Sequence, residues 1–168
     1  YKATRVKAPD ELYAQIDTVK DVLKVFNIPI LEKVGFEADD IIGTLARSIQ
    51  PADNIRVMIV TGDMDTLQLV NDHVHIYTLK RSISDTIIYD PQGVKNRFSG
   101  LTPEQMNDYK ALRGDPSDNI PGVKGIGEKG AIDILKVHGS IEHLYQKLHS
   151  GKKIAVPSER LQEKLRAE

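Results

Sequence analysis

Two kinds of apolar pattern alternate in the first half of the chain. Apolar residues recur every three or four positions over residues 10–26 and 37–49, which predicts two amphipathic helices. Other stretches are continuously apolar and β-branched, which is typical of buried parallel strands. The predicted strands are residues 28–31, 55–62 and 74–79, followed by a short hairpin within SISDTIIYD, residues 82–90. This order predicts an α/β architecture with a central, mostly parallel sheet.

The second half has helical patterns and no further strand signal. The predicted helices are residues 91–98, 102–112, 128–137, 141–148 and 158–166. The boundary between an α/β half and a helical half is expected between residues 90 and 101.

Composition narrows the class of protein. The 168 residues suffice for one domain, or for one domain with a small appendage, and they include no stretch typical of a membrane span or a secretory signal. A cytoplasmic protein is therefore expected. The absence of cysteine excludes disulfides and thiolate zinc sites, and a net charge of −1 does not indicate general nucleic-acid binding.

Three clusters of acidic residues lie at the edges of predicted elements. They are Glu37, Asp39 and Asp40 in EADD; Asp63 and Asp65 in TGDMDTLQL; and Asp115 and Asp118 in GDPSDN. Each cluster has a structural alternative when taken alone: a helix cap for the first, a strand-ending turn for the second, and an Asx turn with an N-cap for the third. The second cluster follows a strand, where α/β sheets bind ligands.

Taken together, the three clusters favour a metal site. Two carboxylates about 4 Å apart repel by about 4 kcal/mol at an effective dielectric constant of 20, so several would converge only around a cation. Oxygen ligands without cysteine or histidine favour Mg²⁺ or Mn²⁺ over zinc. Two such ions about 4 Å apart are the arrangement that activates water in phosphodiester cleavage.

A glycine hairpin, residues 122–127, follows the third acidic cluster. It contains Gly122, Val123, Lys124, Gly125, Ile126 and Gly127, and Lys129 follows in the next predicted helix. Glycine allows close backbone approach, and the start of a helix offers unpaired N–H groups to phosphate. The stretch matches neither the dinucleotide-binding pattern nor the P-loop. A tight turn between helices is the structural alternative to DNA-backbone binding.

Three segments in order and spacing resemble a known family: EADDIIGTLA, VTGDMDTLQLV and KALRGDPSDNIPGVKGIGEKGA. The chain is similar to the 5′–3′ exonuclease domains of bacterial DNA polymerase I, in the flap endonuclease family. The resemblance implies a PIN-like, mostly parallel α/β sheet with flanking helices over residues 1–95. It also implies an all-helical helix-hairpin-helix (helix-three-turn-helix) subdomain over residues 96–168 that binds duplex DNA.

The resemblance also implies roles for individual residues. Glu37, Asp39 and Asp40 would belong to a first metal site, and Asp63, Asp65, Asp115 and Asp118 to a second. The glycine hairpin would bind the duplex and, as in relatives, could hold K⁺ through backbone carbonyls. Lys2 and Arg5 in YKATR match basic residues at the base of an arch, where they would contact the scissile phosphate.

The implied activity is divalent-metal-dependent 5′–3′ exonuclease and 5′-flap endonuclease cleavage of DNA in replication and repair. Family members carry an earlier strand and two aspartates that would precede Tyr1, so we expect a fragment of a longer polymerase chain with an incomplete first metal site. Exposed strand edges then favour self-association. Two alternatives are a non-catalytic duplex-binding module and a PIN-type ribonuclease, for which the hairpin would have no use.

Overall fold

An α/β half is followed along the chain by a helical half. The computed structural model describes residues 7–49, 54–82, 85–150 and Leu165. The helices are α1 Asp10–Val25, α2 Ala38–Ser48, α3 Pro91–Arg97, α4 Met106–Arg113, α5 Glu128–His138 and α6 Ile141–His149. The strands are β1 Val57–Val60, β2 Val74–Ser82 and β3 Asp85–Tyr89, and short 3-10 helices span Met64–Leu69, Pro103–Gln105 and Pro116–Asp118.

The strands form one mixed sheet in the order β1-β2-β3. β1 and β2 are parallel, with Val57 opposite Val74, and the chain crosses between them through the 3-10 helix Met64–Leu69. β2 and β3 are antiparallel, with Ile76 opposite Tyr89. The predicted parallel pair and hairpin are both confirmed. The described sheet is mixed because so short a connection after β2 permits only antiparallel pairing.

The predicted strand at residues 28–31 is wrong. Asn27 has a positive φ of 57°, and the Ile28 N–H donates to the Leu23 carbonyl oxygen at 2.9 Å, which closes the end of α1. Pro29 has no N–H for a strand ladder. The predicted helix at 102–112 begins as the 3-10 helix Pro103–Gln105 and continues as α4. The predicted helix at 158–166 lies outside the described residues, apart from the helical and buried Leu165.

One buried apolar cluster runs through both halves. Its largest fully buried apolar side chains are Leu67, Ile76, Val94, Leu101, Leu112, Ile134, Leu135, Leu144 and Leu165. Full burial of a side chain of this size contributes about 1.5–3 kcal/mol. Among the described residues, no helix combines the length and apolar character needed to cross a membrane.

Helix α1 contributes nothing to this cluster. None of its residues is buried, and its apolar side chains Leu12, Ile16 and Val19 are 54%, 43% and 56% exposed. Val60, in β1 at the edge of the described sheet, is 73% exposed. The described part of the chain therefore exposes apolar side chains on α1 and on the edge strand β1.

Candidate metal centre

The second acidic cluster lies where β1 leads into the 3-10 helix Met64–Leu69. Asp63 caps this helix, because its Oδ1 accepts the Asp65 N–H at 3.0 Å. The Thr66 hydroxyl donates to the Asp63 carbonyl oxygen at 2.7 Å and tightens the same turn. Asp63 is exposed, whereas the Asp65 side chain is half-buried.

The third acidic cluster is held in a tight turn after α4. Asp115 caps the 3-10 helix Pro116–Asp118, and its Oδ1 accepts the Ser117 N–H at 3.0 Å and the Ser117 hydroxyl at 2.5 Å. Asp115 and Ile120 exchange two backbone hydrogen bonds of 2.8 Å. The turn considered as a structural alternative is therefore present, and it also positions Asp118.

These two clusters meet in space. Asp65, Asp115 and Asp118 each offer a carboxylate oxygen, and the three oxygens lie within 4.8 Å of one another. All three residues are half-buried. A donor set made only of carboxylate oxygens fits a hard divalent cation such as Mg²⁺ or Mn²⁺. The hypothesis that the acidic clusters converge therefore holds for these three residues.

Lys110 contacts this carboxylate cluster and was missed by the sequence analysis. Its Nζ forms an ion pair with Asp65 and donates to Asp115 Oδ2 at 2.6 Å. The hydrogen bond from Lys110, followed by that from Ser117, holds the pKa of Asp115 well below its usual range. The available signal was the position of Lys110 on the last turns of a predicted helix that leads into GDPSD.

The first acidic cluster caps α2. Glu37 and Asp40 form a capping box, in which the Glu37 N–H donates to Asp40 Oδ2 at 2.9 Å. The cap interpretation of this cluster is thus confirmed. Asp39 and Asp40 also line a cleft whose other wall includes Asp65. Ligand roles for Glu37, Asp39, Asp40 and Asp63 stay predictions, and Lys2 and Arg5 lie outside the described residues.

The glycine hairpin is packed against the end of α4. The side chains of Val123 and Ile126 are 7% and 4% exposed, and the Val123 N–H donates to the Leu112 carbonyl oxygen at 2.9 Å. Lys124 and Lys129 are exposed. A duplex would therefore meet the hairpin backbone and these two lysines, and not the apolar side chains.

A mixed sheet is followed by a small helical domain, and carboxylates from the connection after β1 and from the turn after α4 converge between them. This arrangement suits a metal-assisted hydrolase. Residues 1–99 match the family model of the 5′-3′ exonuclease N-terminal resolvase-like domain, and residues 101–168 match that of the 5′-3′ exonuclease C-terminal SAM fold. The chain belongs to this 5′-3′ exonuclease family.

Relatives at 43–46% identity are bacterial DNA polymerase I proteins. That of Chloroflexus aurantiacus is 46% identical over 158 residues, which cover 91% of this chain and 16% of the relative. The Caldicellulosiruptor bescii protein is 43% identical, and the match covers 96% of this chain and 20% of the relative. The Bacillus subtilis protein is 44% identical, and the match covers 92% of this chain and 18% of the relative. The chain thus spans at most 20% of the length of these relatives.

Solved structures share the fold at lower identity. The T5 5′-exonuclease with bound divalent metal ions (zinc) has a TM-score of 0.75 at 23% identity, with 99% of this chain and 59% of that chain covered. The bacteriophage T5 flap endonuclease in a pseudo-enzyme-product complex with DNA and metal ions has a TM-score of 0.73 at 23% identity, with 98% of this chain and 58% of that chain covered. The catalytic core of Rad2 with DNA substrate has a TM-score of 0.63 at 21% identity, with 98% of this chain and 50% of that chain covered. These likenesses confirm the PIN-like α/β fold followed by a helical domain.

Proposed function

We propose that this chain is part of a divalent-metal-dependent 5′ nuclease, a 5′–3′ exonuclease and structure-specific 5′-flap endonuclease that cleaves DNA phosphodiesters. The observation that carries the proposal is the convergence of the Asp65, Asp115 and Asp118 carboxylates within 4.8 Å. Membership of the 5′-3′ exonuclease family supports it.

Asp65, Asp115 and Asp118 would hold one Mg²⁺ or Mn²⁺ ion, with Asp63 beside them. Glu37, Asp39 and Asp40 would help to hold a second ion across the cleft that Asp39 and Asp40 share with Asp65. Bound there, the ions supply positive charge that polarises the phosphate and lowers the pKa of water. Lys2 and Arg5 would neutralise the scissile phosphate as negative charge develops.

The helical half would hold the duplex without reading base sequence. Gly125 and Gly127 are exposed, so their backbone N–H groups lie close to the surface, and Lys124 and Lys129 add charge that favours phosphate. We also propose K⁺ as a ligand of the hairpin backbone. In this division, residues 1–95 form the partial nuclease core and residues 96–168 the DNA-binding subdomain.

The cellular context is part of the same proposal. The relatives are bacterial DNA polymerase I proteins several times longer than this chain, which supports a place within a longer polymerase that acts in replication and repair. A cytoplasmic location follows from an activity on bacterial DNA.

The test is cleavage of a 5′-labelled flap substrate with Mg²⁺ or with EDTA, by this chain and by the longer protein that contains it. Metal-dependent release of the flap that is abolished by Asp118→Asn supports the proposal. If the longer protein binds the flap substrate and never cuts it, the chain is a duplex-binding module. If it cuts single-stranded RNA and leaves the flap intact, the ribonuclease alternative holds.

A further inference from the structure

The Lys110 ammonium lies among the carboxylates that would hold the metal. It contacts Asp65 and lies 2.6 Å from Asp115 Oδ2, and these are two of the three residues in the cluster. The Lys110 side chain is 25% exposed, and that of Asp115 is 14% exposed. The contact is therefore largely shielded from the solvent that weakens surface ion pairs.

Helix α4 is anchored on both sides of this contact, so Lys110 is held at the cluster. Tyr109 and Leu112 are buried in the core at 4% and 1% exposure. The Asn107 side-chain amide donates to Gln68 Oε1 at 3.0 Å, which joins α4 to the 3-10 helix that carries Asp65. The only ready movement of Lys110 is rotation of its own flexible side chain.

A divalent ion and this ammonium cannot share the cluster. Both would contact the carboxylates of Asp65 and Asp115, and two cations at such a separation repel strongly. A cavity beside the cluster is lined by Lys110 and Glu128. The Glu128 carboxylate pairs with Arg97 at 3.5 Å, which is long for an ion pair. This cavity offers the ammonium an alternative position near a carboxylate.

We propose that Lys110 is an internal cation that occupies the Asp65–Asp115–Asp118 cluster in the metal-free protein, and that a divalent ion binds there only by displacing it. The inference rests on the proposed function, since it requires the cluster to be a metal site. Lys110 would then keep the carboxylates together between metal-binding events and lower the affinity of the cluster for metal.

The experiment compares Mn²⁺ binding by wild-type protein, Lys110→Met and Lys24→Met in calorimetric titrations. Metal binding to the wild type must break the charge-assisted hydrogen bonds of Lys110, so Lys110→Met should bind Mn²⁺ at least about tenfold more tightly. In EDTA, Lys110→Met should unfold at lower urea concentration, and Mn²⁺ should remove that difference. Lys24 pairs with Asp21 at 2.9 Å on exposed α1, so Lys24→Met should match the wild type.

A second measurement needs no variant. Nitrogen-15 spectra of the lysine NH₃⁺ groups should show a protected Lys110 signal in EDTA that is lost as Mg²⁺ is added. Two results would overturn the inference: Mn²⁺ binding by Lys110→Met that is equal to or weaker than that of the wild type, or a Lys110 signal that does not change when Mg²⁺ is added. If the wild type binds Mn²⁺ and Asp118→Asn does not, these results overturn the inference and leave the proposed metal site standing. If the wild type and Asp118→Asn bind Mn²⁺ equally, the proposed metal site fails as well.

Discussion

Gly122 lies against the backbone of Gly114 so closely that a Cβ atom on Gly122 would lie 2.2 Å from the Gly114 nitrogen. Gly114 begins the turn that carries Asp115 and Asp118, and Gly122 begins the glycine hairpin. Both glycines have positive φ, 84° and 60° respectively. This contact fixes the distance between the carboxylate cluster and the proposed duplex grip.

Gly122→Ala is expected to lower the free energy of unfolding by about 2–4 kcal/mol, because it adds backbone strain to a clash that rigid backbone cannot relieve. Gly127→Ala is the matched control, since a Cβ there meets nothing within 4 Å and φ is −97°. Urea unfolding monitored by circular dichroism measures both. Equal unfolding midpoints for the two variants would contradict the packing of Gly122 against Gly114.

Replacement of Lys124 and Lys129 by alanine should weaken duplex DNA binding and reduce its salt dependence. Each lost phosphate contact makes the negative slope of log K against log salt concentration shallower by about 0.9. Fluorescence anisotropy of a labelled duplex at several salt concentrations gives this slope. Lys20→Ala with Lys24→Ala on α1 is the control, because it also removes two positive charges. A slope unchanged in the Lys124/Lys129 double variant would place the duplex elsewhere.

Tyr109 should make folding sensitive to alkaline pH. Burial raises the pKa of Tyr109 above its ordinary value of 10.0. Since the folded state retains the proton to higher pH, the contribution of Tyr109 to stability is complete below pH 10 and is lost as pH rises through its folded-state pKa. Urea midpoints measured between pH 9 and about 12 should fall less steeply for Tyr109→Phe than for the wild type. Parallel curves would show that the Tyr109 hydroxyl is not desolvated.

The apolar face of α1 should drive self-association. Leu12, Ile16 and Val19 are each more than 40% exposed, and contiguous exposed apolar patches of this kind mark contact surfaces. Sedimentation velocity should show concentration-dependent oligomers for the wild type and a shift toward monomer for Leu12→Gln with Val19→Gln. Gln15→Ser on the same helix should sediment like the wild type. Identical sedimentation of the wild type and the Leu12/Val19 double variant would show that this face makes no contact in solution.

Local patterns were enough to predict most of the elements. The periodicity of residues 10–26 matches α1, Asp10–Val25, because helical spacing is a local property. The predicted strand at 28–31 was wrong because the apolar content of the stretch was given more weight than two local signals. Asn27 has a positive φ and ends the helix, and Pro29 cannot donate a ladder hydrogen bond.

The candidate site was predictable in residue type but not in arrangement. Asp65 and Asp115 are distant in sequence, and only the packing of α4 against the 3-10 helix Met64–Leu69 brings them together. Lys110 was missed because a lysine near the end of a helix usually interacts with the helix dipole and solvent. The sequence also could not distinguish aspartates that bind metal from aspartates that cap helices. In the structure, Asp115 caps the 3-10 helix Pro116–Asp118 and also belongs to the carboxylate cluster.

The most direct test of the metal centre is a crystal structure of the protein soaked with Mn²⁺ and phased with anomalous scattering. We expect an anomalous peak about 2.1 Å from carboxylate oxygens of Asp65, Asp115 and Asp118, with the Lys110 ammonium moved away from them. Lys110 still bound to Asp65 and Asp115, with manganese absent from the cluster or bound elsewhere on the chain, would contradict the proposed metal centre.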